Sequence, residues 1–447
     1  MALESIKEGI DPVILYFLLQ PIRLLVTFLD RILSVFGLSI QHGSRQEQMV
    51  AKKEGRLEGH VVKVRAKVCR HFTFALNLDN FLLTHDSYVN PFEYVKRSNV
   101  VTMGFSEKYA YFSITEPGVN LWDVRKIPFF YIFQFPMVEK ILIVSHETFH
   151  KLAADIGEPK IPLTMMNMTA RCGSTLLSQM VARVPDCWVM SEPWAPVHLF
   201  QLFKKGKLSQ LQYEQLLKSW INVQCKPEPG KSPRTIFMKN TSLFAHIYPA
   251  FKKVHPGMKL LFITRSTLPH LQSFMKMMNL GGKPKLAIRL GSFSRMLLSI
   301  TSLTDLDKGS NSKLAKFDTW WQSAELSEAI TVHTISNTLN VIRMKDSYER
   351  VILYHQLRDE PRRVLEDLFP LLGLDLKYID AALEAMEHDS QGGAAVPRGL
   401  VDTARVTEEE KVRVDTIYKE FGMDLSTEAS EKECEEYFRK HGCRLCF

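Results

Sequence analysis

Between residues 12 and 40 the chain is strongly apolar, broken among charged residues only by Arg23, Asp30 and Arg31. Gln20, Arg23, Thr27, Asp30, Arg31 and Ser34 recur three and four apart, which on a helix is one narrow polar stripe along an apolar cylinder. Pro21 stands where such a helix could begin. Residues 41–58 turn polar and charged and read as a linker. Alternation of period two then takes over: Val62, Val64, Ala66 and Val68 are apolar with Lys63, Arg65 and Lys67 between them, and Phe72, Phe74, Leu76 and Leu78 repeat the pattern. Strand-like runs follow at 99–104, 109–115, 129–135 and 140–144, so residues 59–158 form a strand-rich, antiparallel region by this reading.

Beyond residue 158 the rhythm changes. Short apolar runs at 162–168, 187–190, 235–238, 259–264 and 350–354 alternate with helical patterns, as strands buried on both faces do in parallel βαβ units. The expected fold is therefore α/β, with a central parallel sheet flanked by helices over residues 159–425. It stands behind the strand-rich region and the apolar amphipathic helix of residues 1–40, and residues 426–447 form a tail. Residues 281–316 are basic and contain Gly and Ser, a long loop or insertion beside the core. Trp320-Trp321 precedes a helical run and reads as core packing.

Composition narrows this picture little. The 447 residues are 45% hydrophobic and 24% charged, an ordinary globular balance that excludes collagen, long disordered protein and a multi-span membrane protein. Lys and Arg exceed Asp and Glu by 57 to 49; this net +8 suits an anionic ligand or a membrane surface and is too weak to argue for nucleic acid. Seven dispersed cysteines imply no disulfide framework, although one bridge involving Cys434 stays open. Cys443 and Cys446 have CxxC spacing but no second pair to complete a zinc site, and read as part of a frayed C-terminal tail. The apolar N-terminal segment reads as a helix lying in a membrane interface; a tilted signal anchor and a plain core helix are the alternatives. Glu4, Lys7, Glu8 and Asp11 before it give no charge bias to orient it, and no cleavable signal pattern appears.

The strongest chemical signal is Thr169-Ala170-Arg171-Cys172-Gly173-Ser174-Thr175-Leu176-Leu177. A buried strand enters it, and a helical pattern leaves it through Leu176, Leu177, Met180 and Val181. A strand, a tight glycine turn and a helix start with two hydroxyls make an anion cradle, to which Arg171 adds a bidentate fork for phosphate-like oxygens. Alone, such a turn could equally be a structural βα loop. It is not a Walker loop: the one Gly-Lys-Ser, at 230–232, has Cys225 where the first glycine belongs and prolines at 227 and 229. A second anion site is marked by Arg265 at a strand's carboxyl end and Ser273 eight residues on in the next helix.

Together these segments resemble the sulfotransferases that use 3′-phosphoadenosine 5′-phosphosulfate (PAPS). Arg171-Cys172-Gly173-Ser174-Thr175 resembles that family's 5′-phosphosulfate loop, and Arg265 with Ser273 has the spacing of its 3′-phosphate site. The run 232–239, ending in Lys239, is similar to the family strand that ends in an active-site lysine. Residues 351–357, the Asp359-Glu360-Pro361 turn and 369–374 resemble its closing strand, turn and helix end. The resemblance spans about residues 160–425, and it implies PAPS as co-substrate, a hydroxyl acceptor and no required metal. Asp389-Ser390-Gln391-Gly392-Gly393 with Arg398 falls where the family has a loop closing over the nucleotide.

The departures are informative. Arginine stands at 171 where cytosolic members carry lysine, as in Golgi carbohydrate and protein-tyrosine members, and Thr241 occupies the place of the cytosolic catalytic histidine. Tyr354-His355-Gln356-Leu357 lacks the acid of the family's last strand. The base must come from elsewhere, and Ser191-Glu192-Pro193-Trp194 offers Glu192 at a strand end, similar to the acid-bearing turn of the Golgi members. Its structural alternative is an acid complementing a helix dipole; His198 and His246 are fallback bases. The expected reaction is in-line sulfuryl transfer to a glycan or protein tyrosine, with Arg171, Ser174, Thr175 and Lys239 stabilising the charge. Arg171 and the Ser-Glu-Pro turn favour a Golgi membrane. The sequons Asn167-Met168-Thr169 and Asn240-Thr241-Ser242 pull towards a cytosolic face. A membrane-associated binding protein that has lost turnover is the competing reading, while a P-loop kinase fails on the absent Walker lysine. The basic loop with Lys283, Lys285, Arg289 and Arg295 hints at an acidic acceptor or is solvated surface.

Overall fold

The computed structural model describes residues 12–67, 78–119, 122–227, 233–241, 247–279, 326–388 and 405–447. Two compact units emerge. One comprises Met1–Leu121, Phe130–Pro159 and Pro193–Ser232; the other comprises Trp122–Phe129, Lys160–Glu192 and Pro233–Phe447.

The first unit is built on an antiparallel sheet of β1 (Gly59–Lys67), β2 (Phe81–Val89), β3 (Val100–Phe105), β4 (Tyr109–Ile114) and β5 (Lys140–Ser145), in the order β2-β1-β5-β4-β3. The alternation along β1 buries Val62 in a cluster with Phe81, Met103, Tyr111, Val138 and Ile141. The run expected as a strand at 129–135 is instead the helix Phe130–Met137. Its aromatics favour strands by propensity, but the helical period puts Phe130 and Gln134 on one buried face, where the Gln134 amide donates to Ser113 Oγ at 2.6 Å. The second half of the early alternation, at 68–77, lies outside the described residues. Helix Pro12–Val35 forms over the apolar stretch and runs through Pro21 rather than starting there, at the cost of one backbone hydrogen bond. No described helix is long and apolar enough to cross a membrane.

The second unit is the expected α/β layer. Its five parallel strands are β6 (Leu163–Met168), β7 (Cys187–Ser191), β8 (Thr235–Lys239), β9 (Lys259–Thr264) and β10 (Tyr348–Leu353), in the order β10-β9-β6-β8-β7. The first strand is central, and the chain moves to one side for β7 and β8 and to the other for β9 and β10. That reversal makes the carboxyl end of β6 the topological switch point, the place where open α/β sheets hold ligands. Every residue of β6 is buried, and on one face of the sheet Met166, Met168, Leu261, Ile263 and Ile352 pack with Leu177, Met180, Val364 and Phe369 of the helices.

The C-terminal segment is not frayed. Ser430 and Glu433 form a capping box on helix Glu431–Lys440, and Leu445 then bridges to Val351 in parallel. The Cys446 N–H donates to the Val351 carbonyl at 3.2 Å, and its side chain is fully buried. Burial of one short apolar stretch against the β10 edge outweighs the end effect that composition suggested. The bridge left open for Cys434 is not formed: Cys434 is a free thiol, as are the other described cysteines. Burial pushes Cys434 up to about 12.

Candidate active site

Strand β6 delivers the chain into a turn that only a special backbone can make. Arg171 has φ 61° and Gly173 φ 86°, after which helix Ser174–Val181 begins. A non-glycine residue at positive φ is uncommon, and such strain collects at functional sites. A methyl group on Gly173 would meet the Tyr354 ring at 2.5 Å, so the residue is fixed both by backbone angle and by close approach. The Cys172 side chain points into the apolar core beneath the turn, where burial raises its thiol to about 11. Ser174 and Thr175 occupy the first helical turn and are nearly buried.

The two anion motifs meet. Arg171 Nε donates to Ser273 Oγ at 3.1 Å, joining the turn after β6 to helix Thr267–Asn279 after β9. Arg265, at the end of β9, stacks its guanidinium 4.5 Å from the Tyr354 ring centroid. Burial pulls Arg265 down from its ordinary value, and no carboxylate lies within ion-pair distance of it among the described residues. Thr169 Oγ1 donates to Thr264 Oγ1 at 3.1 Å, tying the ends of β6 and β9 together. Tyr354, first residue of the helix after β10, is thus a platform for both Gly173 and Arg265. His270, missed by sequence reasoning, is also buried here; burial first, then His333, Arg265 and Arg171, hold it neutral with a pKa of about 3.

A second cluster forms at the carboxyl ends of β7 and β8. Sheet register sets Ser191 directly beside Lys239. The Lys239 ammonium lies 2.6 Å from Glu192 Oε1 and donates to Thr175 Oγ1 at 3.1 Å and to Ser191 Oγ at 3.3 Å. Phe129 covers it, with the ring centroid 4.6 Å from Nζ. Lys239 is 1% exposed and Glu192 7%. Glu192 also has a positive φ, 59°, and its N–H donates to the Lys239 carbonyl at 2.6 Å. The strained backbone therefore aims the carboxylate back at the lysine that ends the neighbouring strand. Thr175 links this cluster to the turn: one end of the helix start serves the loop, the other the lysine.

The remaining expected residues fall elsewhere or outside. His198 belongs to the first unit, where its Nδ1 accepts from the Phe105 N–H at 3.2 Å and burial lowers it to about 3, the signature of a packed neutral histidine. His246, the loop from Asp389 to Gly393, Arg398, Trp320-Trp321 and the basic loop lysines and arginines lie outside the described residues. Both sequon asparagines, Asn167 and Asn240, are fully buried at the ends of β6 and β8.

No family model matches the chain, and no curated protein matches it in sequence. Solved structures do. The sulfotransferase from Alicyclobacillus acidocaldarius aligns at a TM-score of 0.33 and 14% identity, over 64% of this chain and 98% of its own. Sulfotransferase STF9 from Mycobacterium avium aligns at 0.32 and 12%, over 67% and 81%. At those scores and identities the matches say nothing of what this chain acts on.

Proposed function

We propose that the protein moves a sulfuryl group from PAPS to a hydroxyl acceptor, a glycan or a protein tyrosine, by in-line transfer. One observation carries the reading: a buried lysine, a carboxylate and a hydroxyl of the anion-cradle helix converge on one point through Lys239, Glu192 and Thr175. The residues fit a nucleotide phosphosulfate. Ser174 and Thr175 stand in the first turn of the helix that the Gly173 turn opens, and Arg265 holds a half-buried positive charge with no carboxylate partner among the described residues.

Sulfuryl transfer breaks the bond from sulfur to the bridging phosphate oxygen while the acceptor oxygen bonds to sulfur, leaving 3′-phosphoadenosine 5′-phosphate. Arg171 and the amides at the start of helix Ser174–Val181 hold the 5′ anion, and Arg265 with Ser273 holds the 3′-phosphate. Lys239 neutralises charge growing on the bridging oxygen, a role a desolvated cation performs far better than one in water. Glu192 accepts the acceptor's proton. Before ligand arrives these two groups neutralise each other. An incoming anion competes for Lys239 and thereby releases the carboxylate to act as base.

A second reading, ligand binding without turnover, is favoured by the closed state of the same ion pair. Glu192→Gln separates the two. The transferase reading expects this variant to bind 3′-phosphoadenosine 5′-phosphate as the parent does while losing about 100-fold or more in transfer of radiolabelled sulfuryl to glycan and tyrosyl-peptide panels. Equal transfer by parent and variant would remove Glu192 from the chemistry; no transfer by the parent to any acceptor, with binding intact, would favour the binding protein.

A further inference from the structure

Helix Pro12–Val35 turns outward the side chains that folding normally hides. Leu24 is 71% exposed, Phe28 60%, Val35 73% and Phe36, just beyond the helix, 77%. Of its polar stripe, Gln20, Arg23 and Thr27 are half-buried, while Arg31 and Ser34 are exposed. Asp30 is only 9% exposed, and its carboxylate accepts from Ser39 Oγ at 2.8 Å and from the Gln41 N–H at 3.0 Å. Arg45 adds two ties, from its N–H to the Gly37 carbonyl at 2.9 Å and from its guanidinium to the Ser34 carbonyl at 3.3 Å. The next helix, Arg45–Lys53, also exposes apolar side chains, Met49 at 65% and Val50 at 44%. So many large apolar side chains exposed along one helix mark an interaction site.

Charge identifies the occupant. Arg31, Lys52 and Lys53 are exposed on the same two helices and have no carboxylate partner among the described residues. A second copy of the chain meeting this face would bring two sets of these cations into one interface. An anionic bilayer would satisfy both features, taking the apolar side chains into the acyl boundary and the cations among its headgroups. Crossing is disfavoured, since Asp30, within the helix, is held as an internal hydrogen-bonded carboxylate.

We infer that residues 20–53 dock in the plane of an anionic lipid surface, with Leu24, Phe28, Val35 and Met49 inserted and Arg31, Lys52 and Lys53 at headgroup level. Flotation of the full chain with phosphatidylcholine vesicles, with and without phosphatidylserine, tests this. The expected result is binding strengthened by phosphatidylserine and weakened by salt. Lys52→Gln/Lys53→Gln should weaken binding to the anionic vesicles about 30-fold, at about fivefold for each lysine. Leu24→Glu/Phe28→Glu, at exposed positions that leave the fold intact by circular dichroism, should weaken binding to both vesicle types about 100-fold or more. Flotation unchanged in Leu24→Glu/Phe28→Glu would overturn the inference. So would self-association abolished by that variant without vesicle binding, which assigns the face to a second copy, or attachment that survives alkaline carbonate, which assigns a spanning helix.

Discussion

Each of the two units buries a lysine, and the pair shows how little burial alone says about role. Lys226 of the first unit directs its ammonium at the backbone carbonyls of Val95, Arg97 and Val100, in the turns before β3 and at its first residue. Those acceptors are fixed main-chain atoms, so the lysine works as a staple that satisfies carbonyls a loop would leave orphaned. Lys239 of the second unit faces side chains instead: two hydroxyls and a carboxylate, with an aromatic ring above. Side chains can exchange partners when an anion arrives; main-chain carbonyls cannot. With both lysines buried, the difference in partners is what we propose separates a structural cation, Lys226, from a chemical one, Lys239.

The largest effect that would sharpen this contrast is in Lys239→Met. Turnover should fall about 1,000-fold, read as release of 3′-phosphoadenosine 5′-phosphate from PAPS with a competent acceptor. Because the single change leaves Glu192 buried without its partner, at about 3–5 kcal/mol, the double variant Lys239→Met/Glu192→Gln should be more stable and equally inactive. Lys226→Met should do the reverse. It should lower unfolding free energy by about 2–4 kcal/mol in denaturant titration while leaving turnover per folded molecule unchanged. Lost turnover in folded Lys226→Met would break the comparison.

A smaller effect concerns pH and the first unit alone. His60 stacks between His42 and His85, with Nε2 3.1 Å from His85 Nδ1, and His85 in turn lies 2.8 Å from Glu47 Oε1. Burial, then the charges of His42 and His85, lower His60 to about 4, against a smaller opposing pull from Glu47. A histidine depressed in the folded state binds its proton more tightly when unfolded. Its contribution is therefore intact above the ordinary value of 6.5 and is lost as pH falls from there towards 4. The melting temperature should decline over that window in the parent, and His60→Gln should flatten part of the slope. An identical slope in both would assign the pH sensitivity to other groups.

Legibility followed the same division between the units. The parallel strands were plain because burial on both faces leaves uninterrupted apolar runs, and the expected 259–264 coincides with β9. Edge strand β2 escaped notice, since His85, Asp86 and Ser87 break its alternation and its side chains are half exposed. The aromatic run after Phe129 misled because propensity and period disagree there, and tertiary packing decided for the period. At the site, Arg171, Gly173, Arg265 and Ser273 could be picked out by type and spacing, and Lys239 only through the family resemblance. Their pairings could not: Ser191 beside Lys239 is a matter of β7–β8 register, and Arg171 on Ser273 follows from β6 lying next to β9. Tyr354 was visible only as part of a departure from a pattern, because nothing local in a sequence says that a ring will wall a turn contributed by a strand so distant in the chain.

The central claim is that the turn after β6 and the arginine after β9 form one site for a 3′-phosphorylated adenine nucleotide. Thermal unfolding of the full chain with 3′-phosphoadenosine 5′-phosphate, set against AMP and against ATP with and without magnesium, tests it most directly. Ligand at 100 times its dissociation constant should add about 2.7 kcal/mol. The account predicts a rise in melting temperature with the bisphosphate alone, lost in Arg265→Ala. An equal rise with AMP, a response to ATP that needs magnesium, or no rise with the bisphosphate in the parent chain would contradict it.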